Sequence, residues 1–160
     1  MSASLDKSKD PGVYIPPPLF YVATFIAAIF IQKKIHTPDD FFHTTAIKII
    51  GVFFLIAAVF FIFRSIRQFF LTKNTVILIK PATSLQTTGV YTITRNPMYL
   101  GLAILYLAIA CFIGNYWHVI LLPLLLLIVQ EYIIKREEKY LSLEFGDEFE
   151  NYKHQVRRWL

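Results

Sequence analysis

Two polar clusters bound an otherwise apolar stretch in the C-terminal half, and these are the places where chemistry is expected. The first, Gly89-Val90-Tyr91-Thr92-Ile93-Thr94-Arg95-Asn96-Pro97-Met98-Tyr99-Leu100-Gly101, runs into the apolar stretch, and the second, Lys135-Arg136-Glu137-Glu138, follows it. If a helix starts near Met98, its free backbone N–H groups favour an anion such as a carboxylate, and Arg95 can add a charge-assisted pair. Glu137 and Glu138 can accept hydrogen bonds from sugar hydroxyls or an ammonium group. Such a face suits a small zwitterionic or cationic ligand. The plainer alternative makes Arg95 an interfacial anchor and Tyr99 part of an aromatic belt, with the Glu pair offsetting Lys135 and Arg136 on a solvated helix face. The residues alone leave both readings open.

For the clusters to meet, the chain between them must fold back. Met98 to Gln130 contains no Asp, Glu, Lys or Arg and is too long for one untilted span, and Gly114-Asn115 interrupts it with a turn dipeptide. Two helices in a tight hairpin are therefore predicted, which places both clusters at one face. The whole chain has 160 residues, 56% hydrophobic and 17% charged, with mean hydropathy +0.52. This composition predicts an all-α integral membrane protein of one domain, residues 1–160, with about four transmembrane helices. The spans fall at about 17–32, 44–63, 98–113 and 116–134. The tail, 135–160, reads as a cytosolic or interfacial helix, a break at Gly146 and a second short helix. Thr75 to Ile79 has strand-like composition but no partner run, so an extended surface loop is expected there. The polar first ten residues and Pro16-Pro17-Pro18 do not read as a removable signal peptide.

Charge sets the orientation. Of sixteen Lys and Arg residues, thirteen lie in the N-terminal arm, the 64–97 segment and the tail, against Lys33, Lys34 and Lys48 on the opposite side. The positive-inside rule then puts both termini in the cytosol. The net charge of +5 is spent on these flanks, as topology signals and anchors for anionic lipids, so nucleic acid is not an expected partner. No ionisable group sits mid-span, which argues against a proton-driven pump. His36, His43, His118 and His154 lack metal-ligand spacing, and His118, just past the turn, reads as an interface residue. The single cysteine, Cys111, falls in an apolar run and is expected to pack there.

Several of these elements, in this order, resemble the isoprenylcysteine carboxyl methyltransferase family within the wider phospholipid methyltransferase group. They are Gly89-x-Tyr91, Arg95-Asn96-Pro97-x-Tyr99-x-Gly101, Glu137-Glu138, Phe145-Gly146-Asp147-Glu148-Phe149-x-x-Tyr152 and Val156-Arg157-Arg158-Trp159. The likeness covers roughly the C-terminal half, and Pro16-Pro17-Pro18 fits its bacterial members. It implies a membrane enzyme that moves a methyl group from S-adenosylmethionine to a lipophilic acceptor. Asn96, Pro97, Met98 and Tyr99 would border the cofactor, and Glu137 and Glu138 would hydrogen-bond it. Gly101 would permit close approach of a helix or of the cofactor, and Arg95 and Glu137 are the expected catalytic residues. Asn96 stands where the family has histidine, so this position cannot titrate. Ile133 stands where eukaryotic prenylcysteine enzymes place an arginine, and Arg157 replaces a proline. Two other readings compete: an NADPH-dependent membrane reductase of the sterol-reductase type, and a non-enzymatic membrane binding module.

Overall fold

The computed structural model describes residues 12–72 and 84–160, and among these it is entirely helical. The N-terminal arm and the Thr75–Ile79 stretch lie outside the described residues. Helix α1 (Pro17–Lys34) starts on Pro17 and Pro18, whose missing N–H groups cost nothing in a first turn, and ends on Lys33 and Lys34, which suit the negative end of the helix. Helix α2 (Thr45–Leu71) is capped by the Thr44 hydroxyl, which accepts from the Ile47 N–H. It runs through Arg64 and Arg67, so the span predicted to stop at residue 63 continues for about two more helical turns.

Helix α3 (Pro97–Ile113) is closed by Gly114 in a left-handed conformation, φ 73°. Asn115 then caps α4 (Tyr116–Ile128) by accepting from the Trp117 N–H at 2.8 Å. The two-residue hairpin turn is thus at the predicted place. The predicted end of the fourth helix at residue 134 is not a break. A π-helical turn (Val129–Ile134) carries α4 directly into α5 (Lys135–Phe145). Gly146, at φ 50°, separates α5 from α6 (Asp147–Gln155), as the tail pattern predicts.

The helices alternate in direction. Gly101 of α3 packs on Phe61 and Ile62 of α2, while Gly51 of α2 packs on Cys111 and Phe112 of α3, so these two run antiparallel. Phe20 meets Tyr132 and Phe25 meets His118, which sets α1 antiparallel to the α4 helix. One end of the bundle therefore carries Thr37–Thr44 and the Gly114–Asn115 turn. The other gathers residues 12–16, 84–96 and 135–160. Two helical stretches are long and apolar enough to cross a membrane, Thr45–Leu71 and Tyr116–Phe145. Only 17% of the most apolar window of the first is buried, so it is not the core helix of a soluble protein. Its outer face carries Ile49, Phe53, Ile56, Phe60 and Phe63 in the open.

Candidate functional site

Both polar clusters arrive at the same end of the bundle. The Tyr99 hydroxyl, in the first turn of α3, donates to Oε2 of Glu137 in the first turn of α5 at 2.9 Å, across 38 residues of sequence. Tyr99 is itself placed by α1, since the Tyr21 hydroxyl donates to its carbonyl at 3.0 Å. Glu137 lies beyond the charge-free part of its helix. Burial pushes its carboxyl up from 4.5 to about 7, the hydrogen bond from Tyr99 opposes the rise, and the Glu138 charge adds to it.

Glu138 takes part in a different arrangement. Its carboxylate pairs with Nη2 of Arg95 at 3.1 Å and accepts from Nε and Nη2 of Arg158 at 3.0 and 2.6 Å. Two guanidinium groups thus share one carboxylate, and the pairs are largely desolvated: the Arg95 and Glu138 side chains are 11% and 13% exposed. Arg95 retains unused capacity, because Nε and Nη1 are buried without a partner. A half-neutralised, buried guanidinium with two free nitrogens is set up to take a carboxylate or a phosphate. Glu137 and Glu138 do not offset Lys135 and Arg136 on a solvated helix face: Lys135 pairs with Glu131 at 2.6 Å, and Nη1 of Arg136 donates to the Gly12 carbonyl at 3.0 Å.

The C-terminal strand of chain after α6 is bolted over the 94–96 corner. The Arg158 carbonyl accepts from the Thr94 hydroxyl at 3.0 Å and from Nδ2 of Asn96 at 2.9 Å, and the Arg157 carbonyl accepts from the Arg95 N–H at 3.0 Å. Asn96 thus faces the tail. Trp159 donates its indole N–H to Oε1 of Gln130 at 3.0 Å, and the Tyr152 hydroxyl donates to the Tyr91 carbonyl at 2.6 Å. Pro97 and Tyr99 are buried and Met98 is half-buried. Gly101 is pressed against α2, where an added Cβ would lie 2.7 Å from Cγ1 of Ile62, so its close approach is to a helix.

Sequence reasoning missed Arg158 as a partner of Glu138 and Tyr21 as a support for Tyr99. The closing Arg158-Trp159 pair was a usable signal for the first; a tyrosine in an apolar run offered none for the second. His118, read as an interface residue, is fully buried against Phe25, with ring centroids 4.2 Å apart.

A family model described as phospholipid methyltransferase matches residues 41–148, a stretch that holds the α2–α3–α4 core, Arg95, Tyr99 and both glutamates. An uncharacterized protein of Haemophilus influenzae (strain ATCC 51907 / DSM 11121 / KW20 / Rd) is 41% identical over 63 residues, which is 39% of this chain and the full length of that protein. No solved structure matches the chain.

Proposed function

Because this chain belongs to the phospholipid methyltransferase family, we propose that it is an integral membrane enzyme using S-adenosylmethionine to methylate a lipophilic acceptor, in the manner of protein-S-isoprenylcysteine O-methyltransferases. The observation that carries this reading is the pairing of Arg95, buried with two unused nitrogens, and the Tyr99–Glu137 contact at one polar end of an apolar bundle. The donor set fits the cofactor, whose carboxylate needs a cation and whose hydroxyls and ammonium need acceptors. Arg95 would hold the carboxylate, Glu137 and Glu138 would present acceptors, and Asn96, Pro97, Met98 and Tyr99 would wall the site. Gly101 would contribute by letting α3 seat closely on α2.

When bound, the cofactor supplies an electrophilic methyl group on a sulfonium. The protein's share is alignment in a dry setting, since transfer needs only an acceptor lone pair in line with the breaking carbon–sulfur bond. Glu138 holds Arg95 in place, and Arg158 holds Glu138. Glu137, titrating near neutrality, can take the proton that an amine or neutral thiol must lose, whereas a carboxylate acceptor requires no base. In this proposal α1, α2, α3 and α4 all cross the bilayer, both termini face the cytosol, and membrane lipids surround the exposed apolar faces. The site then lies where a water-soluble donor meets an acceptor partitioned into lipid.

Calorimetric titration of detergent-purified protein with S-adenosylmethionine, its demethylated product and NADPH tests the reading. Binding of the first two is expected. Binding of NADPH alone, or of none of the three, would overturn it. Glu137→Ala should weaken cofactor binding far more than Glu144→Ala, whose side chain is exposed.

A further inference from the structure

Helix α2 carries a basic pair on its outer side, at the end of the bundle that holds the site. Its exposed residues Ile49, Phe53, Ile56, Phe60 and Phe63 recur in alternating steps of four and three, which traces one stripe along the helix. The next steps of that stripe fall on Arg67 and Phe70, with Arg64 and Leu71 beside them. All four are exposed, Phe70 at 76% and Leu71 at 62%. The opposite side of the same turn faces inward: Ser65 is fully buried and donates to the Phe61 carbonyl. The arginines join the stripe because α2 continues beyond residue 63; in a loop they would have no fixed relation to it.

On the helix the two arginines stand three residues apart, with Cβ atoms about 5–6 Å from each other, close enough to repel. Neither forms a hydrogen bond or an ion pair with another described residue. Other arginines at this end are committed: Arg95 and Arg158 share Glu138, and Arg136 donates to the Gly12 carbonyl and covers the Tyr132 ring. The basic residue past the apolar run of the second long helix, Lys135, is neutralised by Glu131. The pair on α2 is framed instead by Phe63, Phe70 and Leu71, which gain nothing from water, so its complement is an anion attached to something apolar. Its depth agrees. The 27 residues of α2 make about 40 Å, the thickness of a bilayer with its headgroup layers. From Lys48 at the other end, Arg64 and Arg67 are about 24 and 28 Å away along the axis, against about 30 Å of hydrocarbon. Guanidinium groups extended outward from these positions reach the phosphate level, and Phe70 and Leu71 stay within the interfacial layer.

We propose that Arg64 and Arg67 hold the phosphate of one anionic phospholipid in the cytosolic leaflet, with its acyl chains along Phe53, Ile56, Phe60 and Phe63. One guanidinium takes a phosphate through two parallel hydrogen bonds, and the second matches a headgroup of net negative charge, whereas a zwitterionic headgroup brings its own cation and gains less. The lipid lies on the side of α2 turned away from α3, so it is a bound lipid and not the methyl acceptor. The inference rests on the membrane-crossing part of the proposed function and not on methyl transfer. Native mass spectrometry of the protein in detergent, titrated with dioleoyl phosphatidylglycerol or dioleoyl phosphatidylcholine, gives the apparent Kd of the first bound lipid. Wild type is expected to prefer phosphatidylglycerol. Arg64→Gln with Arg67→Gln should weaken that binding by about fivefold per arginine, about 25-fold in all, and leave phosphatidylcholine binding little changed. Lys33→Gln with Lys34→Gln removes the same charge from the opposite end and should keep the preference. Both pairs are exposed, so the fold is retained, which circular dichroism checks. Equal affinity for the two lipids in wild type overturns the proposal, as does a preference that survives the arginine substitutions or is lost equally with the lysines. Alkaline carbonate washing of membranes distinguishes the two levels of failure: release of the protein sinks the membrane reading as well, whereas retention without a lipid preference sinks this proposal alone.

Discussion

Glu137→Gln is the substitution whose effect follows most directly from the geometry. The amide keeps the shape and can still accept the Tyr99 hydrogen bond, but it cannot ionise. In the wild type, burial raises the Glu137 carboxyl from 4.5 to about 7. A group raised in the folded state favours folding when protonated, so the wild type is on level terms with the variant below about pH 4.5 and loses ground as pH climbs through 7. At about 1.4 kcal/mol for each unit of that displacement, the loss above pH 7 comes to ~3 kcal/mol. Glu137→Gln should therefore match wild type near pH 4 and exceed it near pH 8 by about 6–12 °C in Tm, given 2–4 °C per kcal/mol for a chain of this size. The assay is thermal unfolding of detergent-solubilised protein from pH 4 to 9, with calorimetric cofactor binding measured in parallel. Stabilisation together with weakened binding marks a residue kept for function at a cost in stability. A Tm difference that does not change with pH would refute the reasoning, because Glu137 would then be ionised and satisfied throughout.

Removing Glu138 strands Arg95 and Arg158 together, so Glu138→Ala should cost about 3 kcal/mol or more in chemical unfolding. Glu131→Ala, which breaks the exposed pair with Lys135 and a long exposed hydrogen bond from Gln130, should leave the unfolding midpoint unchanged. Gly101→Ala forces a Cβ against Ile62, including its backbone nitrogen at 3.2 Å, and is expected to lower stability by about 1–3 kcal/mol; an unchanged Tm would show that α2 and α3 can part freely. At the opposite end, Gly114→Ala meets both a left-handed backbone and Cβ of Phe42 at 3.1 Å, so a loss of at least about 1 kcal/mol is expected from the same measurement.

The hairpin and the tail were legible because their signals are local. Gly114 supplies a positive φ, Asn115 a cap, and Gly146 a break, and each acts within a few residues. The second span was expected to end at residue 63 because two arginines after an apolar run look like a boundary, yet nothing in Ser65-Ile66-Arg67-Gln68 breaks a helix, and α2 runs on to Leu71. The Arg95 to Gly101 and Glu137-Glu138 clusters were identifiable as candidates from residue type and spacing. Their division of labour was not, because it depends on which side of the helix each glutamate faces.

The sequence by itself determined the apolar helices, their turn, and the gathering of polar residues at one end, since hydrophobic runs and helix-ending residues act without reference to distant parts of the chain. Tertiary structure decided three other things. The π-turn at Val129–Ile134 inserts a residue and so rotates all that follows by about 100°, which sets which of Glu137 and Glu138 meets Tyr99. Docking of the tail brought Arg158 onto Glu138 and Asn96 from far along the chain. The packing of α1 on α3 and α4 turned Tyr21 into a support for Tyr99 and enclosed His118 with Tyr106. Each of these is a contact between residues distant in sequence, and its geometry exists only once the helices have packed.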